Sequence, residues 1–322
     1  MGSGTLSMTG DTTLTVTGGN FGAASSGSGV YLGAFADAST ATAADLSAEI
    51  SAGTLGNFFG GGFVQQGGHF TGGTVSVTVT GGSVKNLFGG GSHANNSANS
   101  TGSTSVASVE IQVSGGAIDN LFAGGHFSNT KANFYGTDTV GTASVTLTDT
   151  ASVNYVTGTG WANFKTVTGK STLTFDDYVG AGSGEFTGRV ENFDEVRFDG
   201  EAGYTTKLSG KVSNVDSWGF DVVGREAYAG TALLEFGSGN GFGGKNIDLR
   251  IADDSASEQT WSLAKLSGSA DVGTFSVYLG SSTEAYASGI ALNAKLGGTG
   301  TFAEYGFTLS TDGKTLLFAQ IA

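Results

Sequence analysis

The chain has 322 residues, of which 57 are glycine and none is proline or cysteine, and its formal net charge is −14. The lack of cysteine excludes disulfides and thiolate metal sites, and a negative field repels phosphate backbones and anionic lipid, so no nucleic-acid partner is expected. No run of 18 apolar residues occurs, so membrane insertion as a helix is not expected either. Hydrophobic residues make up 38% of the chain, enough apolar surface to argue against disorder.

The first half of the chain repeats an alternating apolar run followed by a glycine-rich phrase. The phrases read LGNFFGGG at 55–62, VKNLFGGG at 84–91 and IDNLFAGG at 118–125, with offsets of 29 and 34 residues. Alternation with period two indicates half-buried strands. A β-type repeat of this size predicts a β-solenoid, in which each repeat is one coil stacked on the preceding one.

Alignment of the repeats places like residues in columns, which we expect to be structural ladders. One column is aromatic and another is an asparagine column that extends one repeat further. The aromatic column comprises Phe59, Phe88 and Phe122, and the asparagine column comprises Asn57, Asn86, Asn120 and Asn154. Stacked rings would fill the interior, and stacked amides would hydrogen-bond to one another.

The later repeats have a different sequence from the glycine-rich phrases of the first half. Residues 190–199 (VENFDEVRFD) match residues 212–221 (VSNVDSWGFD) at an offset of 22, and Trp161 matches Val190 at an offset of 29. The periodicity fades beyond residue 225, and residues 302–322 predict a hairpin with its turn at 311–314. We therefore expect one elongated all-β domain with about 22–34 residues per coil, regular over 1–225 and irregular over 226–322, ending in a capping hairpin.

Two polar insertions interrupt the repeats, at residues 92–105 and 127–139. Phe134 and Tyr135 in the second insertion are candidate contact residues, with covering of the core as the alternative. His93 and His126 follow the glycine phrases and are further contact candidates. With His69 they predict either a metal or proton-sensitive cluster or exposed loop histidines, although His93 and His126 differ in repeat register.

Acidic residues concentrate in the second half of the chain. The 22-residue match stacks Asp194 over Asp216 and Asp199 over Asp221, which could hold a loose Ca²⁺ ion or serve catalysis on a polysaccharide. Arg197 could instead neutralise these carboxylates, leaving a solvated face. No phosphate-binding loop or nucleophile elbow is visible, and no other cofactor is expected.

The phrases GGSVKNLFGGG, GGAIDNLFAGG, VENFDEVRFDG and VSNVDSWGFDVVG resemble the coils of bacterial autotransporter passengers over roughly residues 12–225. The resemblance implies a right-handed parallel β-helix that is surface-exposed or secreted by a Gram-negative bacterium, commonly an adhesin. We expect a non-enzymatic function in adhesion, self-association or host contact, with a host or neighbouring-cell surface component, such as a carbohydrate, as partner. The alternatives are a carbohydrate-active β-helix enzyme, a lyase or hydrolase, and a structural subunit of a fibre or surface layer.

Overall fold

The computed structural model describes residues 5–22, 29–65, 67–94, 101–128, 137–161, 166–180, 182–199, 204–223, 231–251, 259–269, 271–297 and 304–321. These residues form 28 β-strands and no α-helix, which confirms the all-β prediction. Within the described ranges, therefore, there is no helix long and apolar enough to cross a bilayer.

The chain divides into two compact units. Unit 1 comprises residues 1–173 and 190–193, and unit 2 comprises residues 174–189 and 194–322. This division does not coincide with the change in repeat regularity near residue 225, which stays a prediction.

Unit 1 contains fifteen complete strands, and β16 and β18 cross the division. The strands of unit 1 are β1 Thr5–Met8, β2 Thr12–Phe21, β3 Val30–Tyr31, β4 Phe35–Asp37, β5 Thr40–Ala43, β6 Leu46–Phe59, β7 Phe63–Gln65, β8 His69–Val79, β9 Ser83–Phe88, β10 Ser92–Ala94, β11 Ser103–Val113, β12 Ala117–Phe122, β13 His126–Ser128, β14 Thr137–Asp149 and β15 Ser152–Thr157. The later strands are β16 Ser171–Tyr178, β17 Glu185–Phe186, β18 Arg189–Asp199, β19 Thr206–Leu208, β20 Val212–Asp221, β21 Leu234–Phe236, β22 Asn246–Ile251, β23 Gln259–Lys265, β24 Phe275–Leu279, β25 Ala287–Ile290, β26 Lys295–Gly297, β27 Glu304–Leu309 and β28 Thr315–Ile321.

Parallel pairing between successive repeats organises unit 1. One ladder runs β2–β6–β8–β11–β14, a second runs β6–β9–β12–β15 and a third, of short strands, runs β4–β7–β10–β13. Leu55 pairs with Val84 and Val84 with Ile118, so the register has the offsets that the repeated phrases predict. A large, mostly parallel sheet system of this kind is compatible with a β-solenoid.

The aromatic column forms a stack of rings in the interior. Ring centroids lie 4.5 Å apart between Tyr31 and Phe59, 4.8 Å between Phe59 and Phe88, and 4.7 Å between Phe88 and Phe122. The ring planes are nearly parallel, with interplanar angles of 5° to 9°. All three phenylalanines are buried, so the stack combines burial of apolar area with offset ring contact.

The asparagine column forms a chain of side-chain amides over three repeats. Asn86 Nδ2 donates to Asn57 Oδ1, and Asn120 Nδ2 donates to Asn86 Oδ1, both at 2.8 Å. The extension to Asn154 is wrong, because Tyr155 pairs with Asn120 and Asn154 instead donates to Asp119 Oδ1 at 3.2 Å. Residues 148–151 connect the paired positions Leu147 and Ser152, one residue more than 114–116 in the preceding repeat, and this shifts the register from 34 to 35.

In the first two phrases, the glycine that follows the phenylalanine pair or the Leu-Phe pair permits the close approach of neighbouring repeats, whereas the third phrase has Ala123 at this position. A Cβ atom on Gly60 would collide with the carbonyl oxygen of Gly89, and one on Gly89 would collide with the carbonyl oxygen of Ala123. The Gly60 N–H donates to Phe88 O at 2.8 Å, and the Gly89 N–H donates to Phe122 O at 2.8 Å. The missing side chain therefore lets the main chains hydrogen-bond directly at these corners.

Unit 2 begins with parallel pairing and ends with antiparallel pairing. Strands β17–β19–β21–β23 and β20–β22–β24 are parallel, whereas β23–β28, β24–β25, β26–β27 and β27–β28 are antiparallel. Strands β27 and β28 form the predicted terminal hairpin, with Gly313 at a φ of 70° in its turn. Buried aromatic residues, including Trp218 and Phe242 at 5.7 Å, fill the interior of this unit.

We predict that Asn86→Ala lowers the free energy of unfolding by about 1–3 kcal/mol, because it removes one amide donor and one acceptor from the middle of the column. Equilibrium denaturant unfolding measures the change. Lys85→Ala is the matched control, since it truncates an exposed side chain on the same strand. Equal unfolding midpoints for the two variants would contradict a stabilising role for the amide column.

Candidate functional site

Five residues occupy equivalent positions at the corner that follows each glycine phrase, and we call them the outer row: Phe35, Phe63, Ser92, His126 and Trp161. Phe35 pairs with Phe63, Phe63 with Ser92, and Ser92 with His126. The main-chain hydrogen bonds show the same progression. His126 N–H donates to Gly91 O at 2.9 Å, and Trp161 N–H donates to Gly125 O at 3.0 Å. The outer row therefore crosses five successive repeats of unit 1.

The outer row is aromatic at every position except Ser92 and is partly open to solvent. Phe35 is 55% exposed and Trp161 is 41% exposed, while Phe63 and His126 are half-buried. The inner faces of the row cover the phenylalanine stack. His126 lies 5.3 Å from the Phe88 ring, and Trp161 lies 5.4 Å from the Phe122 ring, between centroids. The row thus protects the core and presents aromatic surface outward.

Two strands that carry outer-row residues lead into the predicted insertions. Ser92 and His126 are the first residues of β10 and β13, and these strands end at Ala94 and Ser128, immediately before residues 95–100 and 129–136. Phe134 and Tyr135, the contact candidates from the sequence, lie outside the described residues. The four row residues from Phe35 to His126 thus lie on one short sheet, and two strands of that sheet end directly before residues 95–100 and 129–136.

The prediction that His93 is an exposed loop histidine and a contact residue is wrong. Its side chain is fully buried, on a strand that pairs with Val64 on one side and Phe127 on the other. Burial lowers the pKa of His93 to about 4, with a further contribution from His69. His93 is therefore a neutral interior residue near pH 7.

The other two histidines lie in different surroundings. His126 Nδ1 lies 3.3 Å from Ser92 Oγ, and burial lowers the pKa of His126. His69 is exposed, with Nδ1 2.8 Å from Ser103 Oγ. Among the described residues, no group of three or more histidine, aspartate or glutamate side chains is arranged to hold a metal ion.

An interior carboxyl lies directly behind the outer row. Asp138 is 6% exposed, and Thr104 donates a hydrogen bond to its Oδ1, whereas its Oδ2 has no hydrogen-bond partner among the described residues. Oδ2 packs against Gly125, where a Cβ atom would collide with it. Burial raises the pKa of Asp138 to about 7, and the hydrogen bond from Thr104 opposes the shift.

Two arginines of unit 2 lie beside acidic side chains. Arg197 Nη2 lies 2.9 Å from Oε1 of the buried Glu195, and Arg250 Nε lies 3.7 Å from Asp221 Oδ2. Burial raises the pKa of Asp221, and the nearby charge of Asp199 adds to that shift against the opposing arginines. This arrangement agrees with the neutralising role considered for Arg197. The loose Ca²⁺ site stays a prediction.

The predicted match of Trp161 with Val190 is wrong. Trp161 follows the position of His126, and the residue that donates to Glu191 O, at 3.0 Å, is Gly158.

The sequence analysis missed two features of the site, the outer row and Asp138. The signal for the outer row was present as the residue after each glycine phrase, in GGGF, GGGS, AGGH and GTGW. Asp138 has the same parity in its strand as the buried Val140, which also indicates an inward side chain.

Comparison with known proteins identified no relative of this chain. The scan against protein-family models, the search of curated proteins and the search of solved structures each found no match to this chain.

We predict that stability falls by about 1 kcal/mol between pH 6.5 and pH 8 because of Asp138. A carboxyl whose pKa is raised from 3.8 to about 7 contributes stability that is complete below pH 3.8 and is lost as pH rises through 7. His93, lowered from 6.5 to about 4, opposes this trend only below pH 6.5. Denaturant unfolding at the two pH values measures the loss, which Asp138→Asn should abolish. A loss that persists in this variant would assign the effect to another group.

We predict that Arg197→Gln destabilises unit 2 by about 1–3 kcal/mol, because it leaves the buried Glu195 carboxylate without its cation. Solvent screens this ion pair, because the arginine side chain is 30% exposed, and so limits the loss. The double variant Glu195→Gln/Arg197→Gln should recover part of the loss. Additive losses in the unfolding measurement would show that the pair is not coupled.

Proposed function

We propose that the protein is a right-handed parallel β-helix with about 22–34 residues per coil that acts as a non-enzymatic passenger of autotransporter type. It is displayed on a bacterial cell surface or secreted, and it functions in adhesion or host contact. The outer row and the two insertions beside it form the contact surface.

One observation carries the proposal: a partly exposed aromatic row follows one short sheet from Phe35 to His126 and continues at Trp161, and two strands of that sheet, β10 and β13, end directly before residues 95–100 and 129–136. Aromatic side chains supply large contact areas at low conformational cost and dominate the energy of many interfaces. The main chain of the row is held by hydrogen bonds to the neighbouring repeat, through strand pairing from Phe35 to His126 and through the Trp161 N–H to Gly125 O, so little ordering is required when a partner binds. A surface of this kind suits recognition more than it suits chemistry.

The charge of this region limits the partner. Residues 1–161 contain only two basic residues, Lys85 and Lys131, against eight acidic residues. A polyanionic ligand would be repelled, because it would find few cations to pair with. An uncharged carbohydrate or a neutral protein patch on a host or neighbouring cell is the partner that fits.

We predict that Trp161→Ala and Phe35→Ala each weaken cell binding by about 5- to 30-fold, the usual cost of removing an interface aromatic. The measurement is flow cytometry of labelled protein on host epithelial cells and on bacteria of the same species, together with a glycan array. Tyr204→Ala is the matched control, since Tyr204 is 41% exposed but belongs to unit 2.

Circular dichroism and unfolding midpoints establish that the variants remain folded. Binding that is unchanged in both row variants, or that is lost equally in Tyr204→Ala, would contradict the outer row as the contact surface. Light scattering across concentration, with Ca²⁺ and with EDTA, separates host contact from self-association as a fibre or surface-layer subunit.

A second candidate is carbohydrate cleavage by the carboxylates of unit 2. The raised pKa of Asp221 beside Asp199 favours it, because a polysaccharide hydrolase or lyase needs an acid and a base in close proximity. Release of reducing ends or of unsaturated sugars from plant and host polysaccharides tests this candidate. Activity that survives Asp221→Asn would remove these residues from consideration.

A further inference from the structure

We propose that Asp138 is a proton-operated switch for the outer row, in which ionisation of the buried carboxyl loosens Gly125 and thereby releases Trp161 and His126. The regulatory meaning of this switch rests on the proposed function of the row as a contact surface. The conformational change itself is independent of any partner.

Gly125 connects the carboxyl to the two aromatic residues. Its N–H donates to Thr166 Oγ1 at 3.2 Å, and its carbonyl oxygen accepts from the Trp161 N–H at 3.0 Å. Its Cα lies against Asp138 Oδ2, and the next residue in the chain is His126. A displacement of Gly125 therefore alters the main-chain anchor of Trp161 and the position of His126 together.

Ionisation of Asp138 demands a rearrangement at this point. A carboxylate requires hydrogen-bond donors at both oxygens, and a buried charge without them is strongly unfavourable. Oδ1 has the Thr104 hydroxyl, but Oδ2 faces the Cα of Gly125 and has no donor among the described residues. Gly125 occupies one side of Oδ2, and its displacement would let water or a main-chain N–H approach that oxygen.

Among the residues that the structure describes around Asp138, the charged and titratable groups do not provide a compensating cation. On β10 and β13 these groups are His93 and His126, whose lowered pKa values keep both imidazoles neutral near pH 7. The remaining groups are Glu110 on β11, His69 on β8, Asp149 on β14 itself and Lys170 after Thr166, and all four are exposed. The balance between the two states is therefore set by Asp138, for which burial raises the pKa to about 7.

The experiment measures the outer row directly, without a ligand. Trp218→Phe/Trp261→Phe leaves Trp161 as the sole tryptophan, and its emission and acrylamide quenching are followed from pH 5.5 to pH 8.5. We expect a red shift and increased quenching with a midpoint near pH 7, set by the carboxyl. Hydrogen exchange of peptides covering residues 121–128 and 157–161 in the unsubstituted protein gives the same readout if the tryptophan variant folds poorly.

Three further variants test the assignment. Asp138→Asn should hold the row in its low-pH state throughout the range, because a neutral amide cannot ionise. Thr104→Val should move the midpoint to higher pH, because the hydrogen bond that favours the carboxylate is lost. Asp149→Asn, the same exchange at an exposed position of the same strand, should leave the transition unchanged.

The absence of any transition near neutral pH would overturn the proposal, and so would a transition that persists in Asp138→Asn. Cell binding at pH 6 and pH 8 is measured separately. A pH transition without any cell binding would contradict the proposed function but support the switch. Cell binding that is the same at both pH values, with no transition in the outer row, would support the proposed function but contradict the switch.

Discussion

The parallel register between repeats is the constraint on which the rest of the structure depends. Neighbouring β-strands lie about 4.8 Å apart, so a residue that recurs at the same position meets its own kind at contact distance. The phenylalanine rings stack at 4.7 and 4.8 Å because the main chain places them there. The amide chain from Asn120 to Asn57 has the same origin. The packing of the rings and the hydrogen bonding of the amides thus both follow from the spacing between neighbouring strands.

The same spacing also allows different side-chain types to occupy one column in successive repeats. Ala41, Phe70, Thr104 and Asp138 succeed one another in a single interior column, from apolar to ionisable. The main chain is indifferent to this change, because its hydrogen bonds do not involve the side chains. A sheet of this type can therefore carry an interior acid without loss of register, at a cost in stability that depends on pH.

The repeated phrase made much of unit 1 predictable, since identical residues at a fixed offset specify both strand position and register. The prediction failed at Asn154 because one extra residue in a turn is invisible to periodicity, although Asp149 there adopts a φ of 49°. Burial of His93 could not be read from its glycine-rich flank, which is typical of an exposed loop. The link between Asp138 and Gly125 joins residues 13 apart in sequence and has no local signature. The acidic residues of unit 2 had a repeat signal, but only the structure shows which arginine opposes each carboxylate.

Gly125 illustrates how a structural requirement and a functional one coincide in one residue. The corner needs glycine because neighbouring repeats approach too closely for a Cβ atom. That same bare Cα leaves room for the carboxyl of Asp138 to pack against the main chain that anchors Trp161. A bulkier residue would separate the acid from the outer row, and a polar one would give Oδ2 a partner. Because glycine does neither, the protonation state of the interior Asp138 is transmitted to the outer row through the main chain of Gly125.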